Sequence, residues 1–364
     1  MTPRAGGMMT VFGDDAAGEP LSSTDTPRQS GITYISWAES CSRSDHTARE
    51  LGGRSYMVYL PRFGSRPSTI LFKYIGQWIK TARILRRERP DTVFVMTPPV
   101  FAALPAFFYA WRHGKRVVLD AHTAAFVLPR WRAFQWLQRI LCRTAVTTLV
   151  SNEHLAAVVR AAGGHATLVP DVPVIFPVRE SFVPPAVSMT VAVVCSFDQD
   201  EPIAAIFEAA AQLPDVRVFV TGDSRRLPRE MVERLPPNLS LTGFLSTAAY
   251  GGLLRDADVV MALTTFDHTM LRGAYEAIYQ GTPVIVSNWE LLRQAFPDGA
   301  VHVDNTAASI VAAVRAVQRN RAAYRAGADR LRTRKLERWQ ATRRDILSKL
   351  TGPGIQRPGA ERYP

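Results

Sequence analysis

The sequence predicts an α/β protein built from two doubly wound halves, each with a mainly parallel sheet covered by helices. Three observations support this prediction. The chain has 364 residues, enough for two domains at about 100–200 residues each. Short apolar strands alternate with helical segments over residues 31–169, and the alternation restarts at residue 189. A proline-rich stretch over residues 170–188 separates the two runs and is the predicted linker.

In the first half, apolar runs predict strands and the segments between them predict helices. The strands are expected at 32–36, 55–60, 92–96, 117–120, 147–151 and 166–169. The helices are expected at 46–51, 69–89, 131–145 and 153–162. The first helix stops at a glycine pair and the second at Pro90, while residues 37–45 are predicted to form a polar loop.

One uncharged segment of the first half could be either a membrane span or a buried part of the fold. Residues 92–111 carry no charge over twenty positions, a length that can span a bilayer. Pro98, Pro99 and Pro105 interrupt the run, and its first five residues are typical of a strand. We therefore interpret it as a buried strand, a turn and an apolar helix, with membrane insertion as the less favoured alternative.

The second half repeats the pattern and ends in a charged helix. Strands are expected at 190–195, 216–221, 239–243, 259–263 and 283–287, and helices at 202–213, 250–256, 270–280, 308–318 and about 320–349. Residues 1–30 and 351–364 lack apolar periodicity and are predicted to be disordered tails. The predicted domains are therefore 31–169 and 189–320, followed by a C-terminal helix over 321–350 that packs back on the first domain.

Charge is distributed unevenly along the chain. The overall net charge is +12, with −2 in residues 1–30, +11 in 31–180, −5 in 181–320 and +8 in 321–364. This asymmetry indicates two domains with different partners and an anionic surface or ligand near the first. A basic chain can also bind nucleic acid, but no helix-turn-helix, zinc or RNA-binding signature is present, so no nucleic-acid partner is expected.

Cysteine usage and the first residues bear on the compartment. The three cysteines, Cys41, Cys142 and Cys195, lie far apart and predict neither a disulfide framework nor a metal cluster. They fit a reducing environment. No charged stretch followed by an apolar run opens the chain, so no secretory signal is predicted. The expected location is cytoplasmic, with peripheral attachment to the inner face of the plasma membrane as an option.

The segment from Asp267 to Ser287 is the most informative motif. A strand ends in a polar loop, a helix is expected to begin near Thr269, and a second strand follows the helix stop at Gly281. Free backbone N–H groups at a helix start can hold a diphosphate without a metal. Glu276, within that helix, can accept hydrogen bonds from a ribose diol. The alternative is an ordinary helix with one exposed glutamate.

This motif resembles that of the nucleotide-sugar glycosyltransferases with two Rossmann-like domains facing a central cleft, the GT-B architecture, and especially family 4 (group 1). Glu276-Ala followed by Gly281-Thr-Pro-Val-Ile matches the second half of their signature. The resemblance implies that Glu276 binds the ribose hydroxyls of the donor. The first glutamate of the family pair is replaced by His268, which is taken, with Thr269, as a candidate donor-binding residue.

The resemblance extends to other donor-site segments. The strand ending at Gly243 and the loop at Ser196 look like donor-site segments of the family, in which an arginine and a lysine follow the loop. Here the loop reads Ser196-Phe-Asp-Gln-Asp-Glu201 and contains no cation. The replacement is expected from Arg225, Arg226 or Arg272, or the helix start alone holds the phosphates. The donor is expected to bind without a metal ion or a cofactor.

Candidate proton acceptors lie in the first half. Asp120 and His122 follow a strand end, where ligands of parallel sheets bind, and some transferases that act on lipid-linked sugars carry a similar Asp-x-His. The alternative is that Asp120 caps a turn and His122 is packed. Asp45 is a third candidate, with an N-cap role as its alternative. A base is needed only for inversion of configuration, which the sequence leaves open.

Two basic, aromatic stretches suggest a lipid surface. They span residues 62–89 and 130–143, and arginine and tryptophan interleave in both. Such composition suits a phospholipid headgroup surface and a polyprenyl-linked acceptor, although a solvated basic face is an equal alternative. The leading prediction is a hexosyltransferase-type enzyme of envelope or exopolysaccharide synthesis, acting on a lipid-linked or other glycan acceptor. A UDP-sugar epimerase and a catalytically degenerate partner subunit are the alternatives.

Overall fold

The fold was analysed in a computed structural model. It describes residues 31–39, 41–61, 67–178, 182, 188–267 and 269–351. The predicted tails, apart from Thr351, and the middle of the predicted linker lie outside these residues.

The first sheet has six parallel strands in the order β2-β1-β3-β4-β5-β6. Their bounds are β1 Ile32–Ser36, β2 Arg54–Met57, β3 Thr92–Thr97, β4 Arg116–Ala121, β5 Thr147–Val150 and β6 Ala166–Leu168. The central strands are buried on both faces, which is why they read as continuous apolar runs.

Helices cover both faces of this sheet. They are α1 Ser42–Glu50, α2 Pro67–Glu88, α3 Ala103–His113, α4 Ala124–Val127, α5 Gln135–Thr144 and α6 Glu153–Ala161. Helices α2, α3, α5 and α6 pack their apolar residues into one core, and α1 packs on the opposite face. One side of the first half is therefore a continuous layer of helices.

The second sheet repeats this design, with six parallel strands in the order β12-β11-β10-β7-β8-β9. Its strands are β7 Met189–Val193, β8 Val216–Thr221, β9 Leu239–Gly243, β10 Val259–Ala262, β11 Val284–Ser287 and β12 Ala300–Val303. The helices are α7 Ile203–Ala211, α8 Arg229–Glu233, α9 Thr247–Asp256, α10 Arg272–Tyr279, α11 Glu290–Ala295, α12 Ala307–Arg319 and α13 Arg321–Lys349. Two doubly wound halves confirm the predicted fold class.

Helix α13 contacts both halves. Ala328 and Leu331 belong to the core on one face of the second sheet. Further along the same helix, Trp339 lies in the core of the first sheet and donates its Nε1–H to the carboxylate of Glu50 at 2.7 Å. The Nε–H of Arg343 is bonded to the Glu50 carbonyl at 2.6 Å. The last helix thus joins the two cores.

The two halves also meet across the chain that leaves β6. Tyr279 of α10 donates its hydroxyl proton to Asp171 at 2.8 Å, and Lys335 of α13 lies 3.4 Å from the same carboxylate. The Lys335 ammonium is also 4.4 Å from the centre of the Tyr275 ring. These contacts join the first crossing between the halves to α10 and α13.

The structure corrects the start of α1 and the end of β2 and adds an edge strand. Helix α1 begins at Ser42, four residues before the predicted start, because the polar residues read as a loop turn their hydroxyls inward: Ser44 accepts from Ser36 at 2.7 Å. Strand β2 ends at Met57 instead of residue 60. Edge strand β12 was not predicted, since three of its four residues are only half-buried and the apolar signal is weak.

The uncharged run at 92–111 forms β3, a short 3₁₀ turn and most of α3, which confirms the buried interpretation. Among the residues that the structure describes, no helix has the length and apolar content needed to cross a membrane.

Candidate active site

The carboxyl edge of the first sheet holds a buried carboxylate. Asp120 of β4 is fully buried, and Tyr34 of β1 donates its hydroxyl proton to it. Arg43 of α1 donates Nε–H to both carboxylate oxygens, at 3.1 and 3.3 Å, and Nη2–H to the carbonyl of Val169. Burial favours a higher pKa, but the Arg43 guanidinium and the His122 imidazole hold the pKa of Asp120 well below its usual range. Asp120 is thus an ionised anchor with little basicity.

His122 stands beside this carboxylate. Its backbone N–H donates to the carbonyl of Thr97 at 2.9 Å, which fixes it next to β3. Its Nε2 lies 3.7 Å from Asp120 Oδ2, beyond hydrogen-bonding distance, and no hydrogen-bond partner for this nitrogen exists within the described residues. Because Nε2 is buried on the Asp120 side of the ring, an acceptor hydroxyl would have to deliver its proton to the other ring nitrogen, Nδ1.

Asp45 lies in the first turn of α1 and is held against an edge strand. Its carboxylate accepts a hydrogen bond from Ser55 of β2. The N-cap alternative for Asp45 is wrong, because α1 begins three residues earlier and Cys41 occupies the cap position. Its assignment as a base stays a prediction.

Sequence reasoning missed a fourth titratable residue at this edge, His46. Burial, together with smaller contributions from the positive charges of Arg49 and Arg272, lowers the pKa of His46 from 6.5 to about 4. Arg272 belongs to α10 of the second half, so this electrostatic contact crosses the cleft. His46 directly follows Asp45, but nothing in the sequence pattern places it opposite α10.

Glu276 lies in α10, at the facing edge of the second sheet. Its side chain is only 6% exposed, so the alternative of an exposed glutamate is wrong. Tyr250 of α9 donates its hydroxyl proton to one carboxylate oxygen at 2.7 Å, and Arg272 donates Nε–H to the other at 2.6 Å. The Arg272 side chain is half exposed and completes a carboxylate–guanidinium pair at the start of the helix.

The start of α10 differs from the prediction. The helix begins at Arg272, because Leu271 has an extended backbone with φ −86° and ψ 98° and occupies the cap position. Thr269 therefore lies in the preceding loop, three residues before the first helical residue. His268 lies outside the described residues, so its predicted donor contact stays a prediction.

The loop after β7 is closed by its own carboxylate. The Glu201 side chain accepts the backbone N–H groups of Ser196 and Asp198 at 2.9–3.0 Å, and burial raises the pKa of this carboxyl. The predicted donor contact of Ser196 is thus limited to its exposed hydroxyl. Arg226 donates to the Ser196 carbonyl at 3.2 Å and to Asp198 at 2.7 Å, whereas both ends of the Arg225 guanidinium bind Asp223. Arg226 is thus the cation that the structure places against this loop.

Hydroxyl and amide groups hold much of the rest of the second edge together, and the hydroxyl of Thr264 also donates to the carboxylate of Asp200 at 2.7 Å. The backbone N–H of Thr264 donates to Ser287 Oγ at 2.8 Å, and this hydroxyl donates to Asn305 at 2.7 Å. Trp289 and Asn305 both donate to the Thr264 carbonyl at 3.0 Å. Gly243, at the end of β9, has φ +65° and open space where a Cβ would stand. A ligand can approach the backbone closely there.

The cleft thus brings together Asp120, His122 and His46 on one edge and Glu276 and Arg272 on the other. In the described parts of the chain, no three histidine, cysteine or acidic side chains converge as a metal ion would require.

Family comparisons agree with this geometry. A family model described as glycosyl transferase 4-like domain matches residues 4–174, and one described as glycosyl transferase-like matches residues 201–347. No curated protein matches the sequence significantly.

Solved structures share the fold at low identity. HepE of Anabaena, in complex with UDP and glucose, has a TM-score of 0.63 and 12% identity, covering 88% of this chain and 99% of that one. Sucrose-phosphate synthase of Thermosynechococcus elongatus has a TM-score of 0.61 and 13% identity, covering 88% and 98%. A Listeria monocytogenes protein assigned as a UDP-N-acetylglucosamine 2-epimerase has a TM-score of 0.57 and 13% identity, covering 83% and 91%.

The fold is therefore the GT-B architecture, in which two doubly wound halves face each other across a cleft. With a glycosyltransferase model matched by each half, the chain belongs to the family 4-like (group 1) glycosyltransferases and is an enzyme of that class.

Proposed function

We propose that this enzyme moves a hexose from a nucleoside diphosphate sugar to a lipid-linked glycan acceptor, in envelope or exopolysaccharide synthesis. The observation that carries the donor part is the buried Glu276, paired with Arg272 at the start of α10 and facing the first half. HepE, which has the same fold, is described in complex with UDP and glucose. That description supports a uridine nucleotide as the first donor to try.

The proposed donor site has separate parts for the ribose and the diphosphate. Glu276 accepts the ribose hydroxyls, in exchange for its present bond to Tyr250. Arg226, Arg272 and the first N–H groups of α10 neutralise the diphosphate, which stabilises the departing nucleotide. The Ser196 hydroxyl and the open backbone at Gly243 line the same edge. Since these groups supply the positive charge, we propose catalysis without a metal ion, and activity that persists in EDTA checks this.

Substitution of Glu276 tests the donor site. Glu276→Ala should weaken UDP binding by about 1–3 kcal/mol, the range for hydrogen bonds to charged groups. The measurement is isothermal titration calorimetry, with circular dichroism to verify folding. The matched control is Glu230→Ala, which removes an exposed glutamate from α8. Equal UDP affinity in wild type and Glu276→Ala would remove Glu276 from the donor site.

On the acceptor side, we propose His122 as the group that takes the acceptor proton if the reaction inverts. The ionised Asp120 lies beside the imidazole and stabilises the imidazolium that forms. His122→Asn should lower kcat about 10²–10⁴-fold with little change in the KM for the donor. Steady-state kinetics check this expectation. A kcat within twofold of wild type would move the proton transfer to Asp45 or His46, or indicate a retaining reaction.

The helix layer of the first half supports a membrane-presented acceptor. Helices α2, α3 and α5 expose large apolar side chains, which are Leu71, Phe72, Ile75, Trp78, Ile79, Phe108, Trp111, Trp136 and Ile140. On α2, Arg83 and Arg86 fall on the same helical face as this stripe. Apolar side chains flanked by arginines favour binding at an anionic lipid surface. We call this set the apolar-basic layer.

The two other readings predict different outcomes in the same assays. An epimerase converts the sugar of its donor with no acceptor present, which product analysis would detect. A degenerate subunit binds no nucleotide sugar, or binds it without turnover, and calorimetry with single-turnover kinetics would show this.

A further inference from the structure

A cavity lies between α5 and α6, outside the donor edge. Its volume is about 330 Å³, within the range of small-molecule sites. Cys142 of α5 and Leu155 and Val159 of α6 are buried apolar residues in its wall. Val158 is half-buried and faces the same space. The interior of this cavity is therefore mostly apolar.

The rim of the cavity is positively charged. Arg132, just before α5, and Arg139, within α5, are exposed and belong to its lining, as does His154. Neither guanidinium pairs with a carboxylate in the parts of the chain that the structure describes. The acids that flank them in the sequence are already paired, Asp120 with Arg43 and Glu153 with Arg160. Two uncompensated guanidinium groups beside an apolar cavity are complementary to a phosphate that carries an apolar chain.

The position of the cavity links the helix layer to the active site. Phe126 lines it and lies four residues after His122, beyond the carboxyl end of β4. His154 follows β5 at the same sheet edge. On α5, Trp136 is 62% exposed and belongs to the apolar-basic layer. A chain that leaves a lipid surface at this layer can therefore enter the cavity with its head group toward the cleft.

We propose that the cavity between α5 and α6 binds an anionic amphiphile, with the chain against Val158 and Val159 and the phosphate against Arg132 and Arg139. This proposal rests on the proposed function and deepens it, because the occupant is then the lipid-phosphate part of the acceptor. The site is distinct from the donor edge formed by Glu276 and Arg272.

Calorimetry with soluble probes tests the proposal directly. The probes are dodecyl phosphate below its micelle concentration, dodecyl maltoside with the same chain and no charge, and inorganic phosphate. Dodecyl phosphate should bind at least tenfold more tightly than either of the others. Inorganic phosphate binding as tightly as dodecyl phosphate would identify a simple anion site and overturn the proposal.

Variants in α6 locate the chain. Val158→Trp fills the cavity and should weaken dodecyl phosphate binding at least tenfold. Ala157→Trp is the matched control, because Ala157 is the exposed neighbour and does not line the cavity. If both tryptophan variants bind dodecyl phosphate with the same affinity, whether reduced or unchanged relative to wild type, the assignment of the chain to this cavity is overturned.

If Val158→Trp folds poorly, a variant that removes positive charge tests the same proposal. Arg132→Gln with Arg139→Gln should remove the preference for dodecyl phosphate over dodecyl maltoside, leaving chain binding in place. Arg229→Gln with Arg234→Gln, which changes two exposed arginines of the second half outside the cavity, is the matched control. A retained preference for the phosphate in the double variant would contradict the proposed phosphate contacts.

UDP titration separates this proposal from the proposed function. If wild type and Val158→Trp bind UDP and transfer sugar to a lipid-linked acceptor equally well, the cavity proposal fails and the proposed function stands. If neither binds UDP but the dodecyl phosphate results are as expected, the proposed function fails and the cavity remains an amphiphile site.

Discussion

The two halves of this molecule share one architecture but differ at their sheet edges and on their outer surfaces. The first edge is organised around the fully buried carboxylate of Asp120, which pairs with Arg43. The second edge places its ion pair, Glu276 with Arg272, at a helix start, and hydroxyl and amide groups make hydrogen bonds across the adjoining strand ends. Among the described residues, the helices of the first half expose nine large apolar side chains, against one, Val232, in the helices of the second half.

This difference shows that a shared fold leaves recognition to local chemistry. The first half is strongly basic and carries the apolar-basic layer, whereas the second half has a net charge of −5. An acidic half is nevertheless suited to an anionic donor, because Arg226 and Arg272 lie where the phosphates are proposed to bind. The net charge of a half indicates what its outer surface binds, whereas individual side chains determine which ligand the cleft binds.

The largest expected effect comes from breaking the Asp120–Arg43 ion pair at the first edge. Asp120→Asn leaves Arg43 buried without its carboxylate and should lower the free energy of unfolding by about 3–5 kcal/mol. Asp215→Asn is the matched control, because Asp215 pairs with Arg315 at the surface of the second half and should cost at most about 1 kcal/mol. Urea unfolding measures both. Equal losses would contradict the description of Asp120 as the buried centre of its edge.

The next largest effect concerns the pH dependence of the free energy of unfolding, through His46. The unfolded chain binds a proton on His46 near pH 6.5, but the folded protein binds it only near pH 4. Stability should therefore be full above pH 6.5 and fall by up to about 3 kcal/mol as the pH drops to 4. His46→Gln should flatten this part of the profile, measured by urea unfolding between pH 4 and 8. His165→Gln, an exposed histidine, should not; identical profiles for His46→Gln and wild type would contradict the assignment.

The smallest expected effect addresses the outer surfaces. Arg83→Gln with Arg86→Gln should weaken binding to anionic liposomes by about 2 kcal/mol, at about 1 kcal/mol for each arginine near the surface. Co-sedimentation measures it. The control removes Arg229 and Arg234 from the second half by the same substitutions and should leave liposome binding unchanged. If both double variants lose binding alike, the attraction is a property of net charge and not of the apolar-basic layer.

Much of the fold was predictable because prolines, glycines and polar residues mark where the strands and helices end. The apolar run at 92–111 resolves into β3 and α3 because Pro98 and Pro99 fall between them, while Pro105 lies in the first turn of α3, where proline is tolerated. The start of α1 was not predictable from the sequence, because serines such as Ser42 and Ser44 are common in loops. They are helical in a fold that brings Ser36 within hydrogen-bonding distance of the Ser44 hydroxyl. Local propensity could not supply that partner.

The site was predictable only where a motif fixes position within one element. Glu276 follows from its spacing to the Gly281 stop, and Asp120 and His122 follow from a strand end. The contact of Arg226 with the loop at Ser196 joins residues thirty positions apart, and the charge of Arg272 acts on His46 from the other half. Such contacts arise from tertiary structure and leave no periodic signal in the sequence.

Helix α13 has a mechanical consequence. Its 29 residues make a rod of about 44 Å at 1.5 Å per residue, fixed to one core at Leu331 and to the other at Trp339. Its midpoint, Lys335, is joined through Asp171 to the chain leaving β6, so both crossings between the halves lie together. Because the two crossings are adjacent, we expect any relative motion of the halves to be a rotation about this place, smallest at Asp171 and larger toward the far ends of the cleft.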